Sequence, residues 1–134
     1  MIIADTNLIA ALFLQTTATV TAEAVLKKDP DWTAPALWRY EFRNVLATQV
    51  RVLGLPVDQA VALFEKAEEV IIEPEIEVEP GAILRLADAQ KLSAYDAEFV
   101  ALAHALKVKL VTTDSGILKV VPGLAVTPAA FVAS

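Results

Sequence analysis

Apolar and polar residues fall along this chain in two kinds of block. Short apolar runs bounded by acids, threonines or prolines read as buried strands: "MIIAD", "WTAP", "VIIEP", "KLVTTD" and "LAVTP". Between them lie longer stretches with apolar residues at the three- and four-residue spacing of one helix face. "NLIAALFL" starts a first helix. "TATVTAEAVLKKD" gives a second, with lysines near its end, where the helix dipole favours cations. "ALWRYEFRNVLATQVRVLG" is a long amphipathic helix with Trp38, Phe42, Val45, Leu46 and Leu53 on one face, and Gly54 marks its end. "PVDQAVALFEKAEE" follows, with Pro56 near its start and apolar residues at 57, 60, 61 and 64. "PGAILRLADAQKL" and "SAYDAEFVALAHALK" are two further helices, and "SGILKV" is one helical turn. The tail "AAFVAS" is given no element.

Strands separated by helices predict an α/β fold, with a parallel sheet of about five strands sandwiched by helices. No linker, repeat or low-complexity segment interrupts it, so residues 1–134 read as one domain. Hydrophobic residues make up 56% and the mean hydropathy is +0.53, high enough to suggest burial at an interface as well as in the core. The longest uncharged run, Thr6 to Ala22, is interrupted by Gln15, Thr16 and Thr17, and its apolar part is too short to cross a bilayer. No basic segment precedes an apolar one, so no signal peptide is expected. The absence of cysteine excludes disulfides, thiol catalysis and cysteine-bound zinc, and fits a cytoplasmic location. The single histidine, His104, lies in an apolar run and reads as a packed or edge residue.

The acids change the picture. In an open α/β sheet, ligands sit outside the carboxyl ends of the strands. Asp5 ends the first strand and Asp114 ends the fourth. Glu41 lies early in the long helix, and Asp96 lies in the first turn of the helix before strand four. Each has an ordinary explanation. Asp5 suits a turn, Asp114 a helix cap, Asp96 stands three residues after Ser93 as in a capping box, and Glu41 has Arg39 and Arg43 nearby. Together they place four carboxylates at one edge of one sheet. At ~4–5 Å and an effective dielectric near 20, each pair would cost on the order of 3–4 kcal/mol. A cation or shared protons must then offset the repulsion. An all-oxygen set selects Mg²⁺ or Mn²⁺ over zinc, and the chemistry implied is hydrolysis at phosphorus. Replacing Asp5 by Asn should relieve the repulsion and stabilise the metal-free fold.

"MIIADTNLIAAL", "WRYEFRNVL", "LSAYDAEFVALA" and "LVTTDSGIL" resemble the four ordered motifs of PIN-domain ribonucleases, and within them the toxins of VapBC-type toxin–antitoxin pairs. The resemblance runs from residue 1 to about 120. It implies Mg²⁺- or Mn²⁺-dependent cleavage of RNA by Asp5, Glu41, Asp96 and Asp114, with Asn7 and Thr113 as supporting polar groups. It also implies a homodimer and a cognate antitoxin that blocks the site. An antitoxin groove is expected along the "NLIAALFL" and "PVDQAVALF" helices.

Other readings fit less well. A haloacid-dehalogenase-like phosphatase needs a second Asp where Asn7 stands. A receiver domain needs an acidic pair after strand one and a lysine after the last strand, and neither is present. A non-catalytic PIN-fold binding or assembly module is the alternative. The net charge of −6 opposes RNA binding, although the four site acids account for most of it. Arg39, Arg43, Arg51, Lys109 and Lys119 are the cations available near the motifs.

Overall fold

The computed structural model describes residues 1–134. Five parallel strands form one sheet in the order β3-β2-β1-β4-β5. They are β1 (Ile2–Ala4), β2 (Trp32–Thr33), β3 (Ile71–Ile72), β4 (Leu110–Val111) and β5 (Ala125–Val126). Eight helices connect and cover them: α1 (Thr6–Phe13), α2 (Thr19–Lys28), α3 (Leu37–Leu53), α4 (Val57–Val70), α5 (Pro80–Gln90), α6 (Ala94–Leu106), α7 (Ser115–Val120) and α8 (Pro128–Ala133). The chain steps from β1 outward to β3, then returns across the sheet to β4. Right-handed crossovers therefore place α1–α4 on one face and α5–α6 on the other. Contacts agree: α1 meets α3 and α4, whereas α5 meets α6, and α6 lies on β1 and β4.

The strands are short, two or three residues each, and every one of those residues pairs in register. Ile3 stands opposite Thr33 on one side and Leu110 on the other. All of β1, β2 and β4 is buried, as expected for a parallel sheet covered on both faces. Ile2, Ile3, Leu8, Trp32, Phe42, Phe99, Leu110 and Ile117 fill the core. An aromatic cluster joins three helices: the Phe42 ring lies 6.2 Å from Phe13 and 6.2 Å from Phe64, and Trp38 stacks on Phe64 at 5.6 Å. Gly54 ends α3 with φ 74, a left-handed turn that suits a residue without Cβ.

Four expectations change. The tail forms α8, because Thr127 caps it through Ala130 N–H and Pro128 opens its first turn. Leu53 is exposed, lying beyond the buried stretch of α3. Val57 and Val61 of α4 are exposed too, with Ala60 turned inward instead. Those valines border an apolar groove of about 350 Å³ with Leu46, Val50 and Phe64, and Arg43 at its edge. The groove runs between α3 and α4. Helix α1, expected to line it, packs beneath them instead. No helix is long and apolar enough to cross a membrane.

Candidate active site

The order of the strands reverses between β1 and β4, which opens a crevice at their carboxyl ends. Asp5 and Asp114 stand on either side of it. Asp5 N–H extends the ladder by donating to Val111 O at 3.1 Å, so the backbone of Asp5 is fixed by the sheet itself. Its side chain is buried, with 8% of the residue exposed. One oxygen, Oδ1, accepts Thr6 N–H at 2.7 Å and caps α1. The other, Oδ2, accepts the Thr112 hydroxyl at 2.6 Å and Asn7 Nδ2 at 3.3 Å. Asp114 caps α7 by accepting Ile117 N–H at 2.9 Å. Gly116 leaves that carboxylate room: a Cβ there would lie 3.1 Å from its Oδ1.

Thr112 ties the two strand ends together. Its hydroxyl proton goes to Asp5, and its oxygen accepts Asp114 N–H at 2.9 Å and Asn7 Nδ2 at 3.3 Å. That uses the full bonding capacity of a hydroxyl. Thr113, the threonine expected to support the site, is exposed and contributes its backbone N–H to Asn7 Oδ1 at 3.2 Å. The sequence "TTD" offers two threonines. The one still in the ladder faces inward, since Thr112 N–H donates to Val126 O. Replacing Thr112 by the isosteric Val would strand three polar groups around a buried centre. Urea unfolding of Thr112→Val should show a loss of about 1–3 kcal/mol.

Glu41 and Asp96 reach the same rim from opposite faces of the sheet. Glu41 is half-buried on α3 and accepts the Thr6 hydroxyl at 2.8 Å. It pairs with neither neighbouring arginine: Arg39 bridges to Glu68 at 2.7 Å, and Arg43 lies over the Tyr40 and Phe64 rings. Asp96 stands in the first turn of α6, whose cap Ser93 accepts Asp96 N–H at 3.1 Å. Burial raises the Asp5 pKa, the Thr112 and Thr6 hydrogen bonds oppose it, and the charges of Glu41 and Asp96 raise it further. Burial also raises Asp96, the charge of Asp114 adds to this, and Ser93 partly opposes it. All four acids are thus linked electrostatically around one crevice.

A raised carboxyl pKa means that the folded chain holds a proton more readily than the unfolded one. The associated stability is present below the unfolded value of 3.8 and lost as pH rises through the folded value. Asp96→Asn removes that penalty. Since Asp96 is held by fewer bonds than Asp5, little is lost in return. In EDTA at neutral pH the variant should melt above wild type, and the gap should close as the pH approaches the unfolded value. A variant melting below wild type at neutral pH would show that Asp96 serves the helix start alone.

Every donor at the rim is oxygen. His104 is exposed in the last turn of α6, about 12 Å along the helix from Asp96. No three acidic, cysteine or histidine side chains are gathered closely enough to hold an ion directly. The donor set suits a hard divalent cation that keeps several of its waters.

Fold and site together define an α/β domain with an all-oxygen acidic crevice at its topological switch point. The chain belongs to the PIN domain family, whose model matches residues 2–123. No curated protein matches it in sequence. Among solved structures it is similar to PAE2754 from Pyrobaculum aerophilum, with TM-score 0.76 and 23% identity, over 98% of this chain and 92% of that one. It is also similar to a toxin–antitoxin complex from Klebsiella pneumoniae, with TM-score 0.72 and 21% identity, over 96% of this chain and 98% of that one. FitAcB from Neisseria gonorrhoeae gives 0.67 and 21%, over 96% and 99%. At these identities the likeness is one of fold.

Proposed function

We propose that this protein is a Mg²⁺- or Mn²⁺-dependent endoribonuclease acting as the toxin of a type II toxin–antitoxin pair. The observation that carries the reading is the linked set Asp5, Glu41, Asp96 and Asp114 at the switch-point crevice of a PIN domain. Asp5 and Asp96 would hold the principal ion, with Glu41 and Asp114 completing the site through water. When bound, such an ion neutralises phosphate charge and eases deprotonation of an attacking water. Thr6 N–H, Thr112 and Asn7 keep Asp5 aimed at the crevice, so its carboxylate need not reorganise during the reaction. Hydrolysis breaks the P–O3′ bond and leaves a 5′-phosphate.

The toxin reading is supported by similarity to a fold whose solved examples include a toxin–antitoxin complex. The apolar α3–α4 groove fits a segment of the antitoxin, and a homodimer accounts for part of the remaining exposed apolar surface. Arg43, exposed and without a carboxylate partner, is better placed than Arg39 to meet RNA phosphate. The test is incubation of the purified protein with single-stranded RNA. Cleavage to 5′-phosphate ends should require Mg²⁺ or Mn²⁺, and undiminished cleavage in excess EDTA would overturn the reading.

A further inference from the structure

The carboxylates differ in how they are held. Asp5 and Asp114 are fixed by backbone N–H groups at helix starts. Glu41 projects from the second turn of α3, on a longer side chain with more rotamers to choose among. Its only hydrogen bond to the rest of the chain through the side chain is the one from Thr6 Oγ1, at 2.8 Å. No cation offsets its charge, because Arg39 is engaged with Glu68 and Arg43 with aromatic rings. Asp5 repels it. Thr6 itself is buried, with 8% exposure, as the first residue of α1. A hydroxyl has one proton to give, and here it is committed to Glu41 across a separation of 35 residues in sequence.

We propose that the Thr6 hydroxyl is the positioning group that holds Glu41 at the crevice rim, and that ion affinity depends on it. The inference rests on the ion-dependent reading above and deepens it. A carboxylate pulled back toward another by a single hydrogen bond is released when that bond is deleted. Outer partners that orient ion-binding carboxylates commonly change ion affinity by about 10–100-fold when removed. Valine keeps the shape of threonine without the proton, and serine keeps the proton without the methyl. This pair separates the bond from the packing.

The experiment is a calorimetric Mn²⁺ titration of purified wild type, Thr6→Val, Thr6→Ser, Glu41→Gln and the Thr6→Val/Glu41→Gln double variant, each checked for a cooperative melt. Thr6→Val should bind Mn²⁺ about 10-fold more weakly. Thr6→Ser should bind nearly as wild type. In the Glu41→Gln background Thr6→Val should change nothing further. In RNA cleavage, the Thr6→Val defect should be a raised half-saturating Mn²⁺ concentration, with most of the rate recovered at saturation. If Thr6→Val does not fold, Thr6→Ala carries the same comparison. A folded Thr6→Val protein with wild-type affinity, or a serine variant as weak as valine, overturns the inference alone. Wild type that binds no Mn²⁺ overturns the ion-dependent reading along with it.

Discussion

Asp96→Asn should abolish RNA cleavage while leaving a folded, and in EDTA more heat-resistant, protein. The expected loss is at least ~10³-fold, on the order of 4 kcal/mol of transition-state stabilisation. Asp96 is a cleaner probe than Asp5. The Asp5 carboxylate accepts hydrogen bonds from Thr6 N–H, the Thr112 hydroxyl and Asn7 Nδ2. An asparagine there would turn an NH₂ toward donors, setting two amide groups against each other. The stabilisation expected of Asp5→Asn from charge repulsion alone is therefore offset by broken bonds. At Asp96 the helix start is secured by the backbone N–H to Ser93, which the substitution preserves. Asparagine keeps the size and the cap but removes the charge. Single-turnover cleavage at saturating Mg²⁺ or Mn²⁺, with a melting curve of the same sample, checks both halves. Wild-type cleavage by Asp96→Asn would remove Asp96 from the site. Lost cleavage with raised stability is the trade expected where a fold tolerates repulsion for function.

Phe42→Ala should cost about 3–5 kcal/mol, the largest stability effect expected of a single substitution here. Phe42 is fully buried and touches the rings of Phe13, Trp38 and Phe64, so its removal opens a void shared by α1, α3 and α4. Three separate helices must move to refill it, and the sheet they cover limits that movement. The neighbouring residue on α3 is Glu41. A loosened α3 should therefore also lower cleavage, and added Mn²⁺ should recover part of it. Denaturant unfolding gives the stability loss directly. A loss below about 1 kcal/mol would mean that the aromatic cluster repacks around the space.

The order and type of the main elements were legible because burial on both sheet faces leaves unbroken apolar runs, and helices leave a periodic stripe. "MIIAD" and "KLVTTD" each carried an acid past the strand, Asp5 directly after β1 and Asp114 three residues after β4. The nearness of the four acids to one sheet edge was legible by position, as Asp5 and Asp114 follow strands and Asp96 and Glu41 lie in the first and second turns of helices. The threonines were harder to read. Thr6 and Thr112 look like turn residues in "DTN" and "TTD", and only the three-dimensional meeting of β1, β4 and α3 gives their hydroxyls partners. Which of two adjacent threonines turns inward depends on where the ladder stops, and one residue decides it. The exposed Val57 and Val61 misled for a related reason. Periodicity marks an apolar face, but not whether this chain or another covers it. Helix α8 carried a readable start in Thr127 and Pro128, obscured by its shortness.

Asp5 divides its two oxygens between a helix start and the crevice, and Asp96 sits in the opening turn of α6. The amino-terminal ends of α1 and α6 bring partial positive charge to these acids. Part of the countercharge is therefore built into the backbone and present as soon as the helices form. The newly made chain need not wait for a cation to become compact. Under the ion dependence proposed above, loss of divalent ions would stop cleavage before it unfolds the chain.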